Sequence, residues 1–216
     1  MAEINLLKSL PKGKRSVSAR KSQKTLNHIK ISRKYGKEYF DGKREYGYGG
    51  YYYDGRWKSV AKDIVNLYKL KKGDKVLDIG CAKGFLVNDL IDLGIDAYGL
   101  DISEYAIQNS MKSTYGRLHI GSAEKLHFPD NSFDFVISIN TIHNLTKLQC
   151  IKSLKEINRV SKKFSFVQVD SYRTLNQKKI FLEWVLTAKY HDYPQNWKKL
   201  FKLAGYKGDW YWTIIK

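Results

Sequence analysis

A chain of 216 residues that is 43% hydrophobic with three prolines can bury one real core, and its composition is ordinary for a globular α/β protein. Its two cysteines, Cys81 and Cys150, exclude a disulfide framework, no C-x-x-C or His/Cys cluster suggests a metal, and no run approaches the ~20 apolar residues of a membrane span. The net charge of +18 is unevenly placed: residues 1–37 hold eleven Lys/Arg against one acid and residues 147–216 fifteen against five, while the middle is nearly neutral. The start, MAEINLLKSL, lacks the apolar core of a secretory signal, so the expected home is a reducing cytoplasm.

In chain order, the first stretch is basic and sparse in apolar residues, which predicts an arm that is mobile alone or folds over a bound ligand. Residues 39–57, YFDGKREYGYGGYYYDGRW, then place five tyrosines among three glycines between 46 and 53, mounting aromatic faces on a flexible backbone. We read 1–55 as arm and lid and 56–216 as one domain. From there strands near 75–79, 97–101, 118–121, 133–139 and 164–170 alternate with helices near 57–70, 84–93, 103–113, 146–160 and 175–189. A last helix near 195–204 and the run DWYWTIIK complete the chain. Such alternation predicts a doubly wound, mostly parallel sheet covered by helices on both faces, with site residues at the strands' carboxyl ends.

The most informative stretch is VLDIGCAKGF, Val76 to Phe85. An apolar strand ends in Asp78, and Gly80 and Gly84 form a turn before a helix, where bare backbone can meet a flat or polar ligand. A dinucleotide fingerprint would need glycine at Ala82 and Phe85, which disfavours NAD or flavin. The D-x-G-x-x-x-G spacing instead resembles the first motif of the class I S-adenosylmethionine-dependent methyltransferases. IDAYGLDIS, ending a second strand in Asp101, and GSAEKLHFPDNSFDFVISINTIHNL, residues 121–145, resemble later motifs of that family in the right order, and the likeness covers roughly 57–170.

The resemblance implies a Rossmann-like seven-stranded sheet whose seventh strand is antiparallel, and S-adenosylmethionine as cofactor. It assigns the backbone of Gly80, Cys81, Ala82 and Gly84 beside Asp78 to cofactor contact, Asp101 and Ile102 to the ribose end, Ala123 and Glu124 to adenine, and Asn140 to the methionine part. The departure is Ala82-Lys83, where many relatives carry a further glycine. Segments before the first motif often close over the cofactor in such enzymes, which nominates Tyr46, Tyr48 and Tyr51, with Arg56 for the methionine carboxylate because guanidinium grips carboxylates with two prongs.

Methyl transfer needs positioning and dryness, and a base only where the acceptor must lose a proton. His143, three residues past Asn140, and Asp170, ending the fifth strand beside Tyr172, are the candidates for that role, against structural roles as a backbone hydrogen-bond partner and a helix cap. Little chain remains beyond the core to shape an acceptor pocket, so we expect a small polar, anionic acceptor such as a sugar or phosphorylated metabolite, O- or N-methylated. An RNA methyltransferase whose basic flanks hold phosphates, and a non-catalytic cofactor-binding protein, are the alternatives. The acceptor atom and the oligomeric state are not written in the sequence.

Overall fold

Short runs rich in Val, Ile and Phe become strands because branched and aromatic side chains fit a pleated surface buried on both faces. The computed structural model describes residues 1–11 and 16–215, so the basic stretch 12–15 of the expected arm and the final Lys216 lie outside the described residues. Six strands, β1 (Lys75–Ile79), β2 (Asp96–Asp101), β3 (Leu118–Ile120), β4 (Phe133–Ile139), β5 (Ser161–Asp170) and β6 (Asp209–Thr213), stand in the order β3-β2-β1-β4-β5-β6. Every neighbouring pair is parallel. The order reverses between β1 and β4, which opens a crevice at their carboxyl ends.

Helices cover both faces. On one side α7 (Lys147–Val160) and α9 (Pro194–Ala204) bring Leu154, Ile157, Trp197 and Phe201 onto Val136 and Val167. On the other, α4 (Lys58–Tyr68) and α5 (Phe85–Asp92) bring Ile64, Val87 and Leu90 onto Val76, Phe135 and Ile137. Strand period two explains how adjacent Val136 and Ile137 reach opposite cores.

Two expectations about the sheet are corrected. There are six strands among the described residues, not seven, and the terminal run is parallel rather than antiparallel. The reason is α9: it ends at Gly205 in the left-handed region (φ 64) and carries the chain back, so β6 enters beside β5 in the same direction, with Phe166 opposite Asp209 and Asp170 opposite Thr213. Beyond β6, the Ile4 amide donates to the Trp210 carbonyl and the Trp210 amide to the Ala2 carbonyl, which covers the exposed edge. Leu6 is 2% exposed against the α4 face, so the beginning of the chain packs in the core.

Residues 1–55, expected as an arm that is mobile alone or folds over a bound ligand, together with a lid, hold three short helices, α1 (Val17–Gln23), α2 (Leu26–Ser32) and α3 (Lys37–Phe40). Ser16 and Thr25 cap the first two by accepting from the Ala19 and His28 amides. Near β2, α6 (Glu104–Gln108) stops short of 113 and a 3-10 turn follows at Lys112–Thr114. The helix expected over 175–189, α8 (Leu175–Trp184), ends where Val185 turns extended, and the freed segment crosses the crevice.

Candidate functional site

The carboxyl ends of β1, β2, β4 and β5 open into a cavity of about 1360 Å³, whose other walls come from residues 20–57 and 184–189. That exceeds the ~300–1,000 Å³ usual for one small ligand, so there is room for two. Among the residues singled out from sequence, Asp78, Gly80, Cys81, Ala82, Asp101, Ile102, Ala123, Glu124, Asn140, Tyr48, Arg56 and Asp170 line it. Gly84, Tyr46 and His143 do not.

The glycine turn is fixed by sterics. Gly80 sits at φ +83, and a Cβ there would lie 1.9 Å from Thr141 Oγ1, so no other residue fits. Gly84 caps α5 at φ 74, where a Cβ would meet Leu118 at 2.8 Å; its role is to turn the chain. Ala82 takes φ 50, the left-handed region that a glycine would occupy without strain. The turn holds because the Ala82 amide donates to Asp101 Oδ2 at 2.8 Å, while Oδ1 accepts from the Ser103 amide at 2.9 Å. Asp101 thus organises the turn as well as facing the cavity.

Asp78 and Asp101 form an acidic pole. Burial, reinforced by the nearby Asp101 charge, pushes Asp78 up to about 7, and burial raises Asp101 against the lowering pull of its backbone amides. Two buried carboxylates side by side favour a ligand with positive charge or hydroxyl donors. Glu124 is oriented from α7: Gln149 accepts from the Thr146 amide in a capping box and donates to Glu124 Oε1 at 3.0 Å. Asn140, also left-handed at φ 53, accepts from Thr213 Oγ1 at 2.7 Å, and Gln168 donates to the same hydroxyl at 2.8 Å.

Residues 35–57 roof this pole. Tyr51 stacks on Phe85 (4.7 Å, 20°) at the start of α5 and its amide donates to Asp41. Asp41 also accepts from Lys83 Nζ at 2.6 Å and Tyr105 Oη at 2.7 Å, so one carboxylate ties the roof to the motif turn and to α6. Tyr46 points the other way, edge-on to His28 at 5.3 Å. Arg56, at the rim, is engaged by Asp54 through Nε at 2.8 Å and Nη2 at 2.5 Å.

His143 and Asp170, the two candidates for a base, pair with each other. His143 is 3% exposed, and its Nδ1 accepts the Asp170 amide at 2.9 Å, which leaves the ring proton on Nε2, 3.3 Å from Asp170 Oδ2. Burial lowers its pKa despite the carboxylate, so the imidazole is neutral at pH 7. The imidazole braces Asp170 from behind, and it is Asp170 that faces the cavity.

Sequence reading missed Tyr35, Asn144 and Gln168, whose buried Oη, Oδ1 and Oε1 have no hydrogen-bond partner among the described residues and which all line the cavity. Gln168 had a signal, a polar residue inside the apolar strand FSFVQVD. Orphaned buried polar atoms are costly, and a ligand that completes them accounts for them. No group of three His, Cys, Asp or Glu side chains among the described residues could hold a metal ion. None of the described helices is long and apolar enough to cross a membrane.

Comparison with known proteins agrees with this geometry. Residues 77–167 match the family described as methyltransferase domain. Phosphoethanolamine N-methyltransferase 3 of Arabidopsis thaliana is 33% identical over 91 residues, covering 38% of this chain and 18% of that protein. Demethylmenaquinone methyltransferase of Geobacillus stearothermophilus is 31% identical over 116 residues, covering 50% and 47%. The chain therefore spans less than half the length of these relatives. A chain from the complex between the Haloferax volcanii Trm112 methyltransferase activator and the putative methyltransferase superposes with TM-score 0.57 and 26% identity, covering 69% of this chain and 67% of that one. Residues 77–167 thus carry the match to a methyltransferase domain, and motif order, strand order and carboxyl-end site together support a class I S-adenosylmethionine-dependent methyltransferase.

Proposed function

We propose that the protein is an S-adenosylmethionine-dependent methyltransferase acting on a small, polar, anionic acceptor such as a sugar or phosphorylated metabolite. The observation that carries the cofactor half is the acidic pole, two buried carboxylates with raised pKa at the end of the glycine turn. The residues fit the cofactor: Asp101 would take ribose hydroxyls, Asp78 the methionine ammonium, Ala123 and Glu124 the adenine, and the Asn140–Thr213–Gln168 network the methionine end. When bound, the cofactor supplies an electrophilic methyl group on a sulfonium.

What the chain contributes is position, dryness and a proton acceptor. Tyr48 and Tyr51, carried on a lid formed by residues 35–57, exclude water from the strand ends. Asp170 faces the cavity with its backbone pinned on both sides, the amide by His143 and the carbonyl by Trp197 Nε1 at 3.1 Å. An acceptor hydroxyl or ammonium would give its proton to the Asp170 carboxylate, and His143 serves as a positioning residue. The acceptor class is supported by the arginines that line the cavity, Arg20, Arg33 and Arg44, and by the chain's basic flanks.

Calorimetric titration with S-adenosylmethionine, S-adenosylhomocysteine and NAD tests the cofactor half. Micromolar binding of the two methionine compounds with none of NAD is the expected result; binding of NAD alone, or of nothing, would sink the reading. Transfer of a labelled methyl group to phosphorylated and unphosphorylated small molecules then tests the acceptor class.

A further inference from the structure

At the end of the cavity away from the acidic pole, three arginines from three separate segments gather around the end of α8 and the segment that follows it. The Arg20 and Arg44 guanidinium groups lie over the Trp184 ring, 4.9 and 5.6 Å from its centroid, and Arg33 reaches the adjoining 185–189 segment. Arg20 is only 8% exposed, and burial and the neighbouring Arg44 charge both depress its pKa. Among the described residues none of the three meets a carboxylate within 4.0 Å. Their hydrogen bonds go to backbone carbonyls instead: Arg20 to Glu45 at 3.0 Å, Arg33 to Ala188 at 3.1 Å, Arg44 to Gly47. The carboxylates nearby are committed elsewhere, Glu183 to Lys21 at 2.8 Å and Glu45 towards His28 at 3.9 Å.

Gathering like charges without counter-ions is unfavourable unless an anion completes the group, and each guanidinium retains unused donors in a fork suited to oxyanions. All three arginines and Trp184 line the same cavity as Asp78 and Asp101. Tyr35 and Tyr48 lie between the poles: Tyr35 feels both Arg33 and Asp101, Tyr48 both Arg44 and Asp101. The partnerless Tyr35 hydroxyl adds a donor on that path.

We propose that Arg20 and Arg44, ordered against Trp184, and Arg33, held at the Ala188 carbonyl, seat the phosphate group of a small methyl acceptor, so that its reacting atom extends past Tyr35 and Tyr48 towards Asp170. The assignment rests on the methyltransferase reading for the word acceptor, while the anion seat itself is measurable without the cofactor. A single enclosed phosphate suits a seat with an 8% exposed arginine better than a polyanion, which would need an open track.

The test is calorimetric titration of the whole 216-residue chain with inorganic phosphate, alone and saturated with S-adenosylhomocysteine. Wild type binds phosphate in both states, and Arg20→Met and Arg44→Met each weaken it at least about tenfold. Lys155→Met, which removes an equal charge from the exposed side of α7, leaves it unchanged. Arg44→Lys, with thermal melts on every variant, separates lost charge from lost fold by keeping part of the affinity. Absence of phosphate binding in wild type, or equal loss in Lys155→Met, overturns the proposal. So does loss of S-adenosylhomocysteine affinity in the arginine variants with 5′-methylthioadenosine affinity spared, because the arginines would then hold the cofactor's carboxylate. Binding of a short RNA that depends on the arginines while phosphate is ignored overturns the small-acceptor assignment. Failure of wild type to bind S-adenosylhomocysteine while phosphate still binds breaks the methyltransferase reading and leaves the anion seat standing.

Discussion

The two ends of the cavity are built from different materials. At the strand ends the geometry is made by backbone: a left-handed turn at Gly80 and Ala82, amides donating to Asp101, and a sheet order that puts β1 and β4 side by side. At the arginine end it is made by side chains from α1, the end of α2, the loop after α3 and the end of α8, brought together only by tertiary packing. A backbone-made site writes itself into local spacing, since only glycine or a few other residues tolerate its angles. A side-chain-made site leaves no local trace.

The largest expected effect tests the first of these ends. Asp101→Ala removes the acceptor of two amide bonds and the proposed ribose contact together, so S-adenosylhomocysteine affinity should fall by about a hundredfold or more by calorimetry. The same change should leave the phosphate affinity of the arginine end within a fewfold. If both ligands are lost alike with the fold intact, the ends are not independent.

Asp78 sharpens the contrast through pH. Its folded pKa, about 7, lies above the ordinary carboxylate value of 3.8, so the folded state holds the proton more tightly than the unfolded chain. The ligand-free protein should therefore lose stability as pH rises from about 4 to about 7, by on the order of a few kcal/mol, and change little above that. Asp78→Asn should flatten this slope in denaturant titrations. A cationic ligand favours the carboxylate, so cofactor binding should release protons near and below pH 7, seen as a buffer-dependent heat. A wild-type slope that Asp78→Asn leaves unchanged would show that the carboxylate is solvated.

His143→Ala comes next. It leaves the Asp170 amide without its acceptor, for an expected loss of about 1–3 kcal/mol in stability, with kcat lowered and S-adenosylhomocysteine affinity unchanged. If His143 acts only by position, His143→Asn, which offers one acceptor and one donor, should recover much of kcat and keep the same pH profile. A profile that loses its acidic limb in the Asn variant would restore His143 as the base.

What the sequence disclosed follows the same division. The five expected strands appear, with β5 beginning three residues early at Ser161, and most of the helices stand near their expected ranges because hydrophobic periodicity is local. The direction of β6 was not local: it depends on α9 bridging from β5, and the expected antiparallel strand came from the resemblance alone. Nor could spacing show that His143 turns away while Asp170, 27 residues later, faces the cavity, since that depends on how β4 and β5 pair. Arg20, Arg33 and Arg44 were hidden among the many basic residues of the leading stretch, where charge count carries no position. Lys83, by contrast, was visible as a departure from the family's pattern, but its partner was not.

That partner makes the smallest effect the most specific one. Lys83 Nζ and Asp41 meet at 2.6 Å with side chains 10% and 27% exposed, and Tyr51 and Tyr105 share the same carboxylate. The pair joins the backbone-made end to the roof. Lys83→Met and Asp41→Asn should each cost about 1 kcal/mol, and the double variant little more than either, giving a coupling energy on the order of 1 kcal/mol. If the contact is a latch, both should raise the dissociation rate of S-adenosylhomocysteine and expose residues 35–57 to protease, while leaving the association rate nearly as it was. A purely structural pair would lower the melting temperature and leave ligand release alone. Lys83, next to the left-handed Ala82, gives this chain a side-chain tether in a turn otherwise held by backbone, and the roof over the strand ends is what that tether holds.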